Sequence, residues 1–334
     1  MGKHVRTSVD SAPIVYSTLD PRGLGSCLSK AYFGGRATYC ELFSRSWTDV
    51  YRVVVGREYY AARVWRTGFH DYRQVEIGCA FLGSPGDHAI TLARCLRLDR
   101  GDYVLALEAP EGTRFVAVFD WVEGKPIAHL TNETCCSLGV LLAEFHAIGV
   151  RYLASVPRSS SALFPDFALR SGPGQFHSLE IKLAHRPIDA HLISSGINRV
   201  RREMERVRCL ALPRGLVHGD FHHRNVLRAQ SGKFIPIDFD DIAVGPLVVD
   251  IASFAWCLAF LQEPRDRLSA FIGGYEQRRR LESSEAAELP WFIAERDCWN
   301  IMGWAANVDI LGDPEGRFES VLEGASARFS RFGL

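Results

Sequence analysis

The apolar residues of this chain change period at Gly124-Lys125-Pro126, and no other feature constrains its fold as much. Before that break, Val50–Val55 and Tyr59–Trp65 are runs of β-branched and aromatic residues separated by Gly56-Arg57-Glu58, which predicts a hairpin. Tyr103–Leu107 and Phe115–Val122 are two more strand-like runs. Between the two pairs, Tyr72, Val75, Cys79 and Leu82 share one helical face, although Gly78 weakens that helix by about 1 kcal/mol against Ala. After the break, Thr131 or Asn132 caps a helix carrying Leu138, Leu141, Leu142 and Phe145, and Gly149 ends it. Residues 151–212 read as a basic, irregular insert with one helix around 197–210, and from about 247 the chain is helical again. Residues 1–30 have no clear period and form an extension, mobile or holding a short helix. A small β-rich lobe over 1–122 and a larger α-helical lobe over 123–334 make the fold class α+β, with helices and strands segregated.

The totals exclude several function classes. Lys+Arg and Asp+Glu both number 39, so no net charge draws the chain to nucleic acid or to an anionic membrane. The longest apolar run, Ile251 to Leu261, is too short to span a bilayer. Nothing at the N-terminus has the layout of a signal peptide. Nine cysteines, an odd number without a CxxC, fit buried thiols in a reducing compartment, and the expected location is the cytoplasm.

Chemistry concentrates in His218-Gly219-Asp220-Phe221-His222-His223-Arg224-Asn225 and in Ile237-Asp238-Phe239-Asp240. Two short apolar runs, Leu216–Val217 and Phe234–Phe239, carry these segments with a polar turn between them. Phosphoryl transfer asks for positioning and charge neutralisation rather than elaborate covalent chemistry. A carboxylate must orient the attacking hydroxyl and accept its proton, a task that suits Asp220. Mg²⁺ takes hard oxygen ligands and keeps waters and phosphate oxygens for the rest, so Asn225 and Asp238 suffice from the protein. Two other readings exist for the same residues. Asp and Asn can simply cap a polar turn, and His218, Asp220, His222 and His223 are residue types that bind zinc.

Taken together, H-G-D-x-x-x-x-N, then I-D-F-D, then Gly245-Pro246-Leu247-Val248-Val249-Asp250 resemble the phosphotransferase family of aminoglycoside kinases, choline kinases and type II homoserine kinases. The resemblance covers roughly residues 45–260 and implies a bilobal, protein-kinase-like fold. It implies Asp220 as catalytic base, Asn225 and Asp238 as metal ligands, and ATP or another nucleoside triphosphate with Mg²⁺ as cofactors. Asp250 would brace the catalytic loop from the start of a helix, and His218 would hold the loop by hydrogen bonds.

The first lobe is similar to the family less closely. Ser44-Arg45-Ser46-Trp47-Thr48-Asp49 resembles the polar turn laid over the phosphates, with Ser46 and Trp47 at its tip, but contains no glycine. Where most relatives have Lys, this chain has Arg63, a planar fork in place of a point charge. Glu76 resembles the acid that pairs with that position; read without the resemblance, Arg63 is a surface residue of an edge strand and Glu76 an exposed glutamate. Phe119-Asp120-Trp121-Val122-Glu123-Gly124 resembles the hinge, where the carbonyl of Asp120 and the N–H of Val122 would read adenine.

The expected acceptor is a small-molecule hydroxyl, with Ser/Thr of a peptide as the alternative enzyme substrate and a nucleotide-binding pseudokinase as the non-catalytic one. Residues 151–212 hold ten Lys/Arg against five Asp/Glu, a balance that disfavours polycationic aminoglycosides. Residues 262–320 lean the other way, with twelve acids and seven bases. Trp299, Asn300 and Trp304 lie at helical spacing, as a pocket roof or as a packed face, and Arg278-Arg279-Arg280 reads as a solvated helix end.

Overall fold

The computed structural model describes residues 14–84, 90–157, 164, 173–184, 187–261, 263–313 and 316–331. Expectations that concern residues 1–13 and most of 158–172 lie outside the described residues. The chain divides into two units, one running to Tyr72 and resuming over Leu96–Phe119, the other made of Arg73–Cys95 and the chain from Asp120 on.

The first unit opens with α1 (Pro21–Tyr32), whose N-cap Asp20 accepts from the Gly23 N–H at 2.9 Å, with proline in the first turn. Strands β1 (Thr38–Arg45), β2 (Thr48–Val55), β3 (Glu58–Trp65), β4 (Leu105–Ala109) and β5 (Gly112–Asp120) form one sheet in the order β1-β2-β3-β5-β4. On β2 the alternation is strict: Tyr51, Val53 and Val55 are buried with Leu24 and Leu28 of α1 and with Val64, Val116 and Val118. Strand β1 has no counterpart in the sequence reading. It is an edge strand that buries Cys40 and leaves Tyr39 and Phe43 exposed, so its pattern shows no alternation. The run read from Tyr103 enters the ladder only at Leu105. Tyr103 is buried and its carbonyl takes the Tyr32 hydroxyl at 2.6 Å, but apolarity alone does not reveal where pairing begins.

The second unit contains most of α2 (Tyr72–Gly83), then β6 (Lys125–Pro126), α3 (Asn132–Ser155), α4 (Pro173–Leu183), α5 (Pro187–Arg208), β7 (Arg214–Val217), β8 (Val226–Arg228), β9 (Phe234–Pro236), β10 (Ala243–Pro246), α6 (Val248–Leu258), α7 (Pro264–Glu276), α8 (Ser283–Leu311) and α9 (Arg317–Arg331). Three expectations change here. The Lys125-Pro126 break is itself a short strand, antiparallel to β8. Helix α3 starts at its Thr131 cap but runs six residues past Gly149. A Cβ on Gly149 would lie 2.6 Å from Leu216 Cβ, so this glycine admits strand β7 instead of ending the helix. Among its described residues the irregular insert holds the helices α4 and α5, and α5 buries Ile193, Ile197, Val200, Met204 and Val207 at helical spacing from well before residue 197.

Among the described residues α3 is the one helix long and apolar enough to cross a membrane, but its Leu138, Leu141, Leu142 and Phe145 are buried in protein. It meets α7 where Gly139 and Gly274 face each other's helices, and a Cβ at either would collide with backbone. This close crossing sets Tyr275 beside His146.

Candidate active site

Strand β7 delivers His218-Gly219-Asp220 to a tight turn, and the first turn of α6 fastens it. The Asp250 carboxylate is fully buried; its Oδ2 accepts the His218 N–H at 2.7 Å and its Oδ1 the Gly219 N–H at 2.8 Å. His218 Nε2 donates to the Ile237 carbonyl at 3.0 Å, so the imidazole ties the loop to the Ile237–Asp240 segment. Behind Asp250 a buried chain continues. Arg279 donates to the Tyr275 oxygen at 3.1 Å, the Tyr275 hydroxyl donates to His146 Nδ1 at 2.8 Å, and His146 Nε2–H donates to Asp250 Oδ2 at 3.0 Å. Only this assignment gives every proton one acceptor. Arg279 also pairs with the fully buried Glu285 at 2.8 Å. The middle arginine of Arg278-Arg279-Arg280 therefore anchors this chain and is not a solvated helix end.

His146→Ala removes the middle of that chain and strands the buried Tyr275 hydroxyl. The expected loss is about 2 kcal/mol or more, from the missing hydrogen bonds and the cavity together. Urea unfolding measures it, and a loss under about 0.5 kcal/mol would show that the chain does not stabilise the loop.

Asp220 is gripped from several sides. Arg296 of α8 pairs with its Oδ1 and donates through Nη1 to the Gly219 carbonyl at 3.0 Å. Asn225 Nδ2 donates to the Asp220 carbonyl at 3.0 Å and to Oδ2 at 3.1 Å, and His222 Nε2 stands 3.4 Å from Oδ1. Burial opposes ionisation of this carboxyl, but the Arg296 guanidinium, with His222 and His218, outweighs it and holds the group well below the usual carboxylate range. Arg296 has no signature in the sequence: it lies 76 residues from Asp220, and only the packing of α8 brings it there. His146 did leave a trace, as a polar residue on the apolar face of α3.

The structure brings Asn225 and Asp238 onto adjoining backbone, since the Ile237 N–H donates to the Asn225 carbonyl at 2.9 Å. Asp238 has φ 67°, the left-handed region that non-glycine residues seldom enter and that recurs at functional sites. Because the Asn225 amide nitrogen is spent on Asp220, its oxygen is the donor left for a cation. An amide oxygen beside a carboxylate fits Mg²⁺ in donor type. His222 and His223 diverge: burial, then His222 and Arg224, push His223 down to about 4, and its Nδ1 faces Cys257 Sγ at 3.7 Å. Among the described residues no group of three or more His, Cys, Asp or Glu is arranged to hold a metal, which leaves the zinc reading without a site.

In the first unit, Ser46 and Trp47 form the two-residue turn between β1 and β2; the Ser46 carbonyl accepts from Arg66, and Trp47 packs on Phe69 with ring centroids 5.8 Å apart. Asp49 is not part of the turn. It is fully buried on β2 and pairs at 3.2 Å with the equally buried Arg114. Arg63 is half-buried opposite Val50 on β3, which has β2 on one side and β5 on the other and is therefore no edge strand. In the second unit, Glu76 of α2 and Asp240 both act on the buried Cys79 thiol, which burial chiefly raises, so α2 carries Glu76 to the neighbourhood of the Ile237–Asp240 segment. Asp120 closes β5; its N–H donates to the Arg94 carbonyl at 2.9 Å and its side chain pairs with Arg94 at 3.0 Å, while Val122 follows in irregular backbone. Of the proposed pocket roof, Trp304 packs on the helical core and Asn300 donates to the Arg296 carbonyl at 2.9 Å, leaving Trp299 as the member against the Arg296 guanidinium, which lies 4.4 Å from the indole ring.

A five-stranded sheet under one helix, a helical second unit and an Asp–Asn–Asp set on the loops after β7 and β9 define a protein-kinase-like fold of the phosphotransferase class. The chain belongs to the phosphotransferase enzyme family, whose family model matches residues 40–282, and is by class a kinase. An uncharacterized protein of Synechocystis, sll1119, is 25% identical over 306 residues, covering 90% of this chain and 82% of the relative. Among solved structures, a microcompartment-associated aminopropanol kinase superposes with TM-score 0.76 at 20% identity, covering 93% of this chain and 97% of that one. The amicoumacin kinase hAmiN, solved in complex with AMP-PNP, Ca²⁺ and Ami, gives 0.73 at 16% identity, covering 94% of both. At these identities the two structures speak for the fold.

Proposed function

We propose that this kinase moves the γ-phosphoryl group of ATP to a hydroxyl of a small molecule, with Asp220 as catalytic base and Asn225 and Asp238 as Mg²⁺ ligands. The observation that carries this reading is the grip on Asp220 by Arg296, Asn225 and His222, beside backbone that joins Asn225 to the Asp238 segment. Asp220 accepts the hydroxyl proton as the hydroxyl oxygen bonds the γ-phosphorus. The bond from that phosphorus to the bridging oxygen breaks, and its electrons leave on ADP. Asn225 and Asp238 would hold a Mg²⁺, which would neutralise charge on the phosphates. By the family resemblance, Ser46 and Trp47 have the role of the turn over the phosphates, Arg63 that of the phosphate-binding cation, Glu76 that of the acid belonging to that position, and the Asp120 carbonyl and Val122 N–H that of the adenine-reading backbone. The family supports these assignments, and the nucleotide analogue bound to amicoumacin kinase supports ATP. The test is Mg²⁺-dependent formation of ADP and a phosphate monoester from a panel of small alcohols. Transfer to Ser/Thr peptides alone would replace the acceptor, and no nucleotide binding under any condition would sink the reading.

Arg63 decides how the phosphates are held. Lys keeps the charge but not the fork, so Arg63→Lys retains transfer within roughly tenfold. Arg63→Ala loses both and raises the KM for ATP considerably further. Steady-state kinetics separate the two, and full activity in Arg63→Ala would mean that the phosphates are held some other way.

A further inference from the structure

Arg296 presents more than the grip on Asp220 needs. Its side chain is 6% exposed, its Nη1 is committed to the Gly219 carbonyl, and its Nη2 to Asp220. Nε–H and Nη2 share one edge of the guanidinium, and Nε is buried with no hydrogen-bond partner. An idle donor on a buried cation costs free energy that a bound acceptor atom would recover. The face of the guanidinium lies against Trp299, which fixes the plane of that edge. Arg224 and Arg296 both act on Cys257, and His222 stands at Asp220. An anionic acceptor would find a fork with one donor waiting.

We propose that the acceptor is an alcohol that also carries a carboxylate, which the Nε–Nη2 edge of Arg296 binds while Asp220 turns to the hydroxyl. The inference rests on the kinase reading above and names the substrate class for that site. The carboxylate takes Nε–H and shares or replaces the Asp220 contact at Nη2, so the same arginine that parks the base in the free enzyme orients the acceptor in the complex. The transfer step is unchanged: hydroxyl oxygen to phosphorus, proton to Asp220, ADP leaving.

Matched acceptors test this directly. Hydroxy acids and hydroxy amino acids, their amides, amino alcohols and phosphate-bearing alcohols are offered to the wild-type protein, Arg296→Lys and Arg296→Met, with kcat and KM measured for acceptor and for ATP. For the wild type, kcat/KM for an acid should exceed that for its amide by tenfold or more. Arg296→Met should lower kcat/KM for the acid by about ten- to a hundredfold, mostly through acceptor KM, and erase the acid–amide difference. Arg296→Lys should keep part of that difference, and the KM for ATP should not move. Amides or amino alcohols accepted as well as acids would overturn the proposal and leave the kinase reading standing, as would an equal loss for every acceptor in Arg296→Met, which would make Arg296 a positioning residue only. Preference for phosphate-bearing alcohols would overturn the carboxylate assignment. Absence of transfer to every acceptor, with nucleotide binding absent too, would remove the kinase reading and the proposal together.

Discussion

Asp220→Asn is expected to lower phosphoryl transfer by ~10²–10⁴, the usual worth of a positioned acid or base. The substitution preserves shape but keeps one side-chain oxygen, which serves Arg296 or Asn225 and not both; Arg296 retains the Gly219 carbonyl and Asn225 the backbone carbonyl at position 220, and an amide cannot take the proton of the incoming hydroxyl. The carboxylate also compensates a buried guanidinium, and removing one partner of such a pair destabilises by about 3–5 kcal/mol when the other charge is left without support. Arg296 keeps its bond to the Gly219 carbonyl, and the Asp220 side chain is 22% exposed, so the cost should fall below that range. The rate is therefore measured per folded molecule, with urea unfolding of the same preparation alongside. Transfer by the folded variant at a near wild-type rate would remove Asp220 from the role of base.

Asp238→Ala is expected to abolish Mg²⁺-dependent nucleotide binding while the thermal transition stays largely in place. The carboxylate is the only charged oxygen in the proposed donor pair, and the Asn225 amide oxygen alone is a weak ligand for a hard divalent cation. Asp238 sits at φ 67°, where alanine is disfavoured by about 1–2 kcal/mol. Asp238→Asn is the companion variant, because asparagine tolerates that backbone and loses only the charge. Titration calorimetry of a non-hydrolysable ATP analogue, with and without Mg²⁺, reads the effect. Equal Mg²⁺ dependence in wild type and both variants would place the metal elsewhere.

Much of the candidate site is legible in the sequence because its residues are close along the chain. Asp220 and Asn225 share one turn, and Asp238 follows after a single two-strand excursion, so spacing alone carried the pattern. The hairpin of β2 and β3 was equally legible, since a strand buried on one face writes its alternation into the sequence. Strand β1 was not, because an edge strand with one buried residue writes none. Gly149 misled for a related reason: a glycine inside a helix reads as a terminus, whereas here it makes room for Leu216 of a strand more than sixty residues away.

The sequence by itself thus determined the lobe order, the spacing of Asp220, Asn225 and Asp238 and the oxygen chemistry of the candidate metal ligands, all of which depend on local geometry and residue type. Only the tertiary structure decided what surrounds Asp220. Arg296 reaches it from α8, and Tyr275, Arg279 and His146 reach Asp250 through a helix crossing that two facing glycines permit. Such partners are chosen by how helices pack. A salt bridge between residues 76 positions apart leaves no period, spacing or composition for a reader of the sequence to find.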